Sequence, residues 1–167
     1  MDAWINQFND VLSKNYGKRV VHLIPLGNSL KRDDGVGIYI LNRLRKMLKD
    51  NLPSHVKIHA AKPNVETIIH RIPSQDTVIF FDAVMTNNQP GSIVFTSLSS
   101  AKYGFFATHN IPLKVLLEYR LMLDNSYLLG VVPYDLSVGE GLSPLIKTVA
   151  DYIIDELYRI VRCESHD

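Results

Sequence analysis

Residues 27–37 read Gly-Asn-Ser-Leu-Lys-Arg-Asp-Asp-Gly-Val-Gly, a glycine-punctuated stretch with two adjacent carboxylates, Asp33 and Asp34. The apolar run 20–26 precedes it, and residues 38–48 follow with apolar side chains at helical spacing. The pattern predicts a buried strand, a turn and a helix. In an open α/β sheet, ligands bind where such turns leave the carboxyl ends of the strands. We therefore expect the acidic turn to belong to a functional site.

Outside this stretch, apolar spacing and turn residues predict alternating helices and strands. Helices are predicted at 2–16, 36–51, 65–71, 111–123 and 144–161, and strands at 19–26, 55–60, 77–81, 92–96 and 127–132. The alternation predicts an α/β fold, a three-layer αβα sandwich around a mostly parallel, mixed sheet of about five strands. The link between the third and fourth strands is too short for a helical crossover, so we expect those strands to be antiparallel neighbours.

The composition is that of an ordinary globular protein, with 46% hydrophobic and 21% charged residues and a net charge of +1. The 167 residues suit a single domain, in which 1–17 form an N-terminal helical extension of an α/β core at 18–162. The balanced charge favours neither a nucleic-acid nor a membrane partner. The single cysteine, Cys163, excludes a disulfide within the chain. With neither a signal-peptide pattern nor a long apolar run, we expect a soluble cytoplasmic protein.

Three polar side chains fall where predicted strands or loops end. Asp34 follows the first strand, Asp82 follows the apolar run of the third, and His109 lies just before the helix predicted at 111. The carboxyl ends of parallel strands meet at one edge, which His109 reaches if the loop 97–108 folds back over it. Two carboxylates and an imidazole suit a borderline divalent ion such as zinc or nickel. The same groups would also serve as acid and base without a metal.

Each acidic candidate also has a purely structural interpretation. Asp33 is suited to cap the helix that begins at 36, which leaves Asp34 to face the cleft. Asp34 would itself stabilise the positive end of that helix. Asp82 is a residue type that accepts backbone N–H groups in a following turn. The remaining histidines are scattered without metal-ligand spacing; they are His22, His55, His59, His70 and His166.

Gly27, Gly35 and Gly37 form a loose match to a dinucleotide-binding fingerprint. The match is poor, because two carboxylates occupy the place where a pyrophosphate would approach the helix. The chain also lacks the Gly-Lys-Ser/Thr of a phosphate-binding loop and the Gly-x-Ser-x-Gly of a nucleophile elbow. A nucleotide-binding α/β domain is therefore kept only as a third hypothesis.

Five segments occur together in the order and spacing of one known family. They are 26–30 with 33–37, 81–84 with 89–93, 107–113, 129–133 and 142–144. They resemble the motifs of the nickel–iron hydrogenase maturation endopeptidases, and the histidine-bearing segment is most similar to the branch that serves formate-linked and related hydrogenases. Each segment alone is weakly specific, whereas five in register between about 19 and 161 identify the family.

The resemblance implies an endopeptidase that removes a short C-terminal extension from a hydrogenase large subunit once its nickel is in place. The expected partner is the hydrogenase large-subunit precursor. The expected metal is the divalent nickel that this substrate supplies, with zinc or cadmium as substitutes. Matched position by position, the family's metal-contacting acid falls on Asp34, its strand-end aspartate on Asp82 and its histidine on His109. These three residues are expected to be both the metal contacts and the catalytic groups.

The chain departs from the family at residues 59–63, which read His-Ala-Ala-Lys-Pro where an Asp-Gly-Gly-Thr-like segment helps to form the substrate cleft. Alanine does not adopt the positive φ angles that glycine allows. This departure supports a second hypothesis, a non-catalytic relative that senses metal and binds its partner without cutting it. A separate interpretation of the same departure is that His59 supplies a ligand in place of the lost acid. The helix at 2–16 is a second departure, expected to pack on the sheet, cover an edge or mediate self-association.

Overall fold

The computed structural model describes residues 2–62, 64–100 and 113–163. The α-helices in these ranges are α1 (Ala3–Asn15), α2 (Val36–Leu48), α3 (Val65–Arg71), α4 (Leu113–Tyr119) and α5 (Pro144–Cys163). The strands are β1 (Val21–Pro25), β2 (Val56–Ile58), β3 (Thr77–Ala83), β4 (Ile93–Ser97) and β5 (Ser126–Val131). Short 3₁₀ helices cover Arg32–Gly35, Lys49–Asn51 and Leu123–Asn125. The predicted α/β sandwich with a five-stranded, mostly parallel sheet is confirmed.

The strand order is β2-β1-β3-β5-β4, with β4 antiparallel to its neighbour and the other strands parallel. The prediction that the third and fourth strands pair with each other was therefore wrong. Strand β5 pairs with β3 along six positions, from Val78↔Ser126 to Ala83↔Val131, and so occupies the edge that β4 would need. The link after β3 bonds to the end of β5, since Val84 N donates to Val131 O and Gly91 N to Val132 O.

The two faces of the sheet are covered by different helices. Ile79 and Phe81 of β3 belong to a core with α1, α2 and α5, whereas Val78 and Phe80 belong to a core with α3 and α4. This alternation follows from the two-residue period of a strand. Strand β3 is buried at every position, as expected of the central strand of a parallel sheet covered on both faces.

Helix α1 packs directly on the sheet, which answers the question that its sequence left open. Phe8 is fully buried, and its ring lies edge-on to Phe81 at 6.5 Å and to Phe95 at 6.1 Å between centroids. Aromatic pairs favour this perpendicular arrangement. Trp4 and Leu12 are buried on the same side of the helix. Helix α1 therefore supplies part of the hydrophobic core.

The helices α3 and α4 begin and end at residues with distinct local geometry. Asn64 caps α3, because its side-chain oxygen accepts from Thr67 N at 3.0 Å. Helix α4 ends at Tyr119, four residues before the predicted end at 123. The chain there turns through Leu121, which has a φ of 56°. None of the helices in the described ranges is both long and apolar enough to cross a membrane.

Candidate active site

The acidic turn lies against the carboxyl end of β3, and Gly27 allows this close approach. The Gly27 φ is 105°, a backbone conformation that favours glycine. A Cβ at this position would collide with the Asp34 carbonyl oxygen and lie 3.3 Å from Asp82 Oδ1. Gly37 has a similar role, since a Cβ there would collide with the Phe81 carbonyl oxygen. The glycines therefore bring Asp34 and Asp82 to one edge of the sheet, as the sequence predicted.

Asp34 lies in the 3₁₀ helix Arg32–Gly35 and is fully buried. Its Oδ2 accepts a hydrogen bond from Asn28 N at 2.9 Å, which fixes the carboxylate across the turn. A buried carboxylate is costly unless it is paired, hydrogen-bonded or bound to a metal. The turn thus holds the Asp34 carboxylate in a defined orientation at the end of β1.

Asp82 lies within β3, one residue from its end, and not after the strand as predicted. Its side chain is on the α3 and α4 face, because positions 78, 80 and 82 of the strand point to the same side of the sheet. Burial raises the pKa of Asp82 well above its usual value, and the negative charge of Asp34 raises the pKa further. A bond from Ala83 N to Asp82 Oδ1, 2.8 Å long, acts in the opposite direction. The two carboxylates are therefore close enough to repel each other.

Asp33 does not cap helix α2, so that prediction was wrong. The residue before α2 is Gly35, and no side chain caps the helix there. The Asp33 carboxylate instead turns toward the segment 132–143, which we name the α5 entry loop. Its Oδ2 accepts from Tyr134 N at 3.0 Å, Asp135 N at 2.8 Å and Ser143 Oγ at 2.8 Å. Asp33 thus has a structural role, as expected. It joins the acidic turn to the α5 entry loop and does not cap the start of α2.

Backbone hydrogen bonds also attach the α5 entry loop to the acidic turn. Arg32 N donates to Gly139 O at 3.0 Å, and Gly139 N donates to Leu30 O at 2.9 Å. Arg32 itself has a φ of 44°, and its Nε lies 3.5 Å from Asp135 Oδ2. A cavity of about 330 Å³ lies beside this junction, with Ile38, Tyr39 and Leu142 among its lining residues. The cavity shares a wall with the turn that carries Asp34.

His109, the third predicted site residue, lies outside the described residues. Among residues 2–62, 64–100 and 113–163, no group of three His, Cys, Asp or Glu side chains is arranged to hold a metal ion. The structure therefore places two of the predicted residues, Asp34 and Asp82, at one edge.

A second polar cluster was not predicted from sequence. His22 Nδ1 lies 2.8 Å from His59 Nε2, and His22 Nε2 lies 3.1 Å from Asp76 Oδ2. His22 is in β1 and His59 follows β2, so the parallel register places them on the same face. In the sequence, the two histidines belong to two different predicted strands. Their proximity could be predicted only if those strands were known to be neighbours.

Comparisons with known proteins show similarity in sequence and in fold. The chain is 24% identical over 156 residues to a Methanocaldococcus jannaschii protein named "Putative hydrogenase maturation protease", and the match covers 89% of this chain and 90% of that protein. The fold matches the hydrogenase maturation protease HycI of Thermococcus kodakarensis with a TM-score of 0.71 and 21% identity, over 93% and 99% of the two chains. It matches the Escherichia coli endopeptidase HybD with a TM-score of 0.62 and 21% identity, over 86% and 92%. No protein-family model matches the chain.

The match to the Methanocaldococcus jannaschii protein covers about nine tenths of each of the two chains. The solved structures share the same fold over almost the whole chain. The acidic turn and the strand-end aspartate meet at the sheet edge where α/β proteins bind their ligands. The chain is therefore similar in sequence to proteins named as hydrogenase maturation proteases, and it shares their fold.

Proposed function

We propose that this protein is an endopeptidase that removes a C-terminal peptide from a nickel-loaded hydrogenase large-subunit precursor. The observation that carries the proposal is the pair of buried carboxylates, Asp34 and Asp82, held together across Gly27. The relationship to named maturation proteases supplies the substrate class. The reaction would take place in the cytoplasm.

The donor set fits a divalent cation. The charge of Asp34 repels that of Asp82, and burial penalises the charge of Asp82. A divalent cation between them would offset both effects, because its positive charge attracts both carboxylates. We propose that Asp34 and Asp82, with His109 as third ligand, contact the nickel of the substrate, and that zinc or cadmium substitutes for it.

The proposed reaction is hydrolysis of one peptide bond. Water adds its oxygen to the carbonyl carbon, the carbon–nitrogen bond breaks, and the new amine receives a proton. The contribution of Asp34 and Asp82 is to position the substrate segment by its metal and to orient the attacking water, since carboxylate oxygens accept hydrogen bonds from water. The glycine contacts leave little freedom in this arrangement, which favours a pre-organised site.

The test is incubation of the protein with the nickel-loaded precursor, followed by mass spectrometry of the product. We expect wild-type protein to shorten the precursor by its C-terminal peptide. Asp34→Asn and Asp82→Asn should each lower the rate at least about 100-fold while circular dichroism shows folded protein. Glu140→Gln, a matched change at an exposed position of the α5 entry loop, should leave the rate unchanged.

Two results would contradict the proposal. A precursor of unchanged mass, in an assay where another maturation protease is active, would exclude the reaction. Recovery of a stable complex with a full-length precursor would indicate the non-catalytic binding protein that the altered segment at 59–63 suggests.

A further inference from the structure

The cluster of Asp76, His22 and His59 forms a continuous hydrogen-bonded chain on the α3 and α4 face of the sheet. Asp76 Oδ1 is 3.4 Å from Val20 N, and Asp76 Oδ2 contacts His22 Nε2. His22 is 4% exposed, and its ring stacks on the His59 ring with centroids 5.1 Å apart. A polar chain of this kind inside an apolar face is costly unless each group is satisfied. The cluster is distinct from Asp34 and Asp82.

The carboxylate determines where the protons of the two rings lie. An ionised carboxylate only accepts hydrogen bonds, so His22 must carry its proton on Nε2. A neutral His22 then has an acceptor at Nδ1, and the bond to His59 requires the His59 proton to be on Nε2. The remaining nitrogen, His59 Nδ1, is left as an acceptor. It makes no hydrogen bond within the described ranges, and His59 is partly exposed.

Both rings are held in the neutral state. Burial lowers the pKa of His59 to about 4, and the positive charge of Lys57, like any positive charge on His22, acts in the same direction. Burial also lowers the pKa of His22, although Asp76 opposes this. A group that stays neutral far below neutral pH is a poor general base at pH 7. It is well suited to accept a hydrogen bond.

The strand register gives the distance between His59 and Asp82. His59 N donates to Leu23 O, and by continuation of the register His59 lies level with Ile24 and Phe80. Asp82 is two residues beyond Phe80 on the same face, and one strand, β1, separates β2 from β3. From strand spacing and rise, the two Cα atoms are roughly 12 Å apart. An extended peptide of about four residues covers that distance.

We infer that His59 is a substrate-binding residue whose Nδ1 accepts a backbone N–H of the substrate segment, and that His22 and Asp76 are positioning residues that keep it an acceptor. This inference rests on the proposed function, because the segment is the one that enters the site beside Asp82. An extended substrate presents an N–H at every residue except proline, and a buried N–H without an acceptor is costly. His59 satisfies one of these groups.

The test measures the affinity of the nickel-loaded precursor, and the KM and kcat of its cleavage, for paired variants. His59→Leu removes the acceptor and should raise Kd and KM about three- to ten-fold, with kcat within about two-fold of wild type. His59→Gln retains an acceptor oxygen and should recover most of the affinity. His70→Leu, at an exposed histidine of α3, is the matched control and should have no effect.

The positioning chain is measured on the free protein by ¹⁵N spectra of the imidazoles. We expect both rings to be neutral with the proton on Nε2 at pH 7, and Asp76→Asn to disturb this pattern in His22 and His59 together. A His59 proton on Nδ1 in the wild type would overturn the inference, as would unchanged Kd and KM in His59→Leu. Weaker binding of Ni²⁺ alone in His59→Leu would overturn it too, in favour of a metal ligand. Because Kd is measured without turnover, an inactive wild type would reject the proposed function and still test His59.

Discussion

Ser143 N donates to Asp33 Oδ1 at 2.7 Å, although the two residues are 110 positions apart in the chain. The Ser143 hydroxyl donates to the other oxygen of the same carboxylate. Ser143 directly precedes Pro144, where α5 begins, so this contact joins the start of the last helix to the turn after the first strand. The carboxylate thus connects the two segments that frame the candidate active site.

Replacing Asp33 should therefore destabilise the protein. The two Asp33 oxygens accept from four donors, and asparagine retains one acceptor oxygen while adding an amide that only donates. We expect Asp33→Asn to lower the free energy of unfolding by about 2–4 kcal/mol in urea titration. Glu140→Gln in the same loop should change it by less than about 0.5 kcal/mol. Equal stability of both variants would show that the contacts are weaker than their geometry indicates.

Gly27→Ala tests the close approach of the turn to β3. A Cβ at Gly27 collides with the Asp34 backbone, and the φ of 105° adds strain. We expect a loss of more than about 3 kcal/mol, or a folded protein with displaced carboxylates and no Ni²⁺ binding. Gly17→Ala is the control, because Gly17 also has a positive φ, 65°, but nothing lies within 4 Å of its Cβ position. Its cost should be about 1 kcal/mol by thermal unfolding.

Measurements of nickel affinity test whether Asp34 and Asp82 are metal ligands. If both carboxylates contact the ion, Asp34→Asn and Asp82→Asn should each weaken Ni²⁺ or Cd²⁺ binding at least about ten-fold in calorimetry. Glu140→Gln should leave the affinity unchanged. Wild-type affinity in either variant would remove that residue from the proposed ligand set.

The histidine pair makes stability depend on pH in a defined direction. The ordinary histidine pKa of 6.5 applies to the unfolded chain, whereas burial lowers the pKa of His59 in the folded protein to about 4. As the pH falls from 6.5 toward 4, the unfolded chain takes up a proton that the folded protein does not, so stability is lost over that range. Between pH 7 and 4.5, wild type should lose about 1–2 kcal/mol more than His59→Gln, a value reduced for the partial exposure of the ring. If the free energy of unfolding of the two proteins, measured by urea titration, fell equally with pH, the lowered pKa of His59 would be contradicted.

Helix α1 is expected to be essential for stability. Phe8 is fully buried between α1 and the sheet, so Phe8→Ala should cost about 3–5 kcal/mol through lost burial and a residual cavity. Asn9→Ala, at an exposed position of the same helix, should cost less than about 0.5 kcal/mol. The difference in denaturation midpoint between the two variants measures how much the helix contributes to the core.

The sequence by itself determined the alternation of helices and strands, the acidic turn after β1 and the acid at the end of β3. These features depend on local periodicity and on residues that favour turns, which neighbouring positions specify. The motif order was sufficient to indicate a resemblance to the hydrogenase maturation proteases. The edge where Asp34 and Asp82 meet was predictable for the same reason, since parallel strands release their carboxyl ends on one side.

Only the tertiary structure decided the insertion of β5 between β3 and β4, the direction of the Asp33 side chain, and the contact of His22 with His59. Each depends on contacts between residues far apart in the chain, and local periodicity specifies only the type of each element. Asp33 and Asp34 are identical residues at adjacent positions, and both are fully buried. Their roles differ because the backbone of one 3₁₀ turn directs one carboxylate to the α5 entry loop and holds the other beside β3.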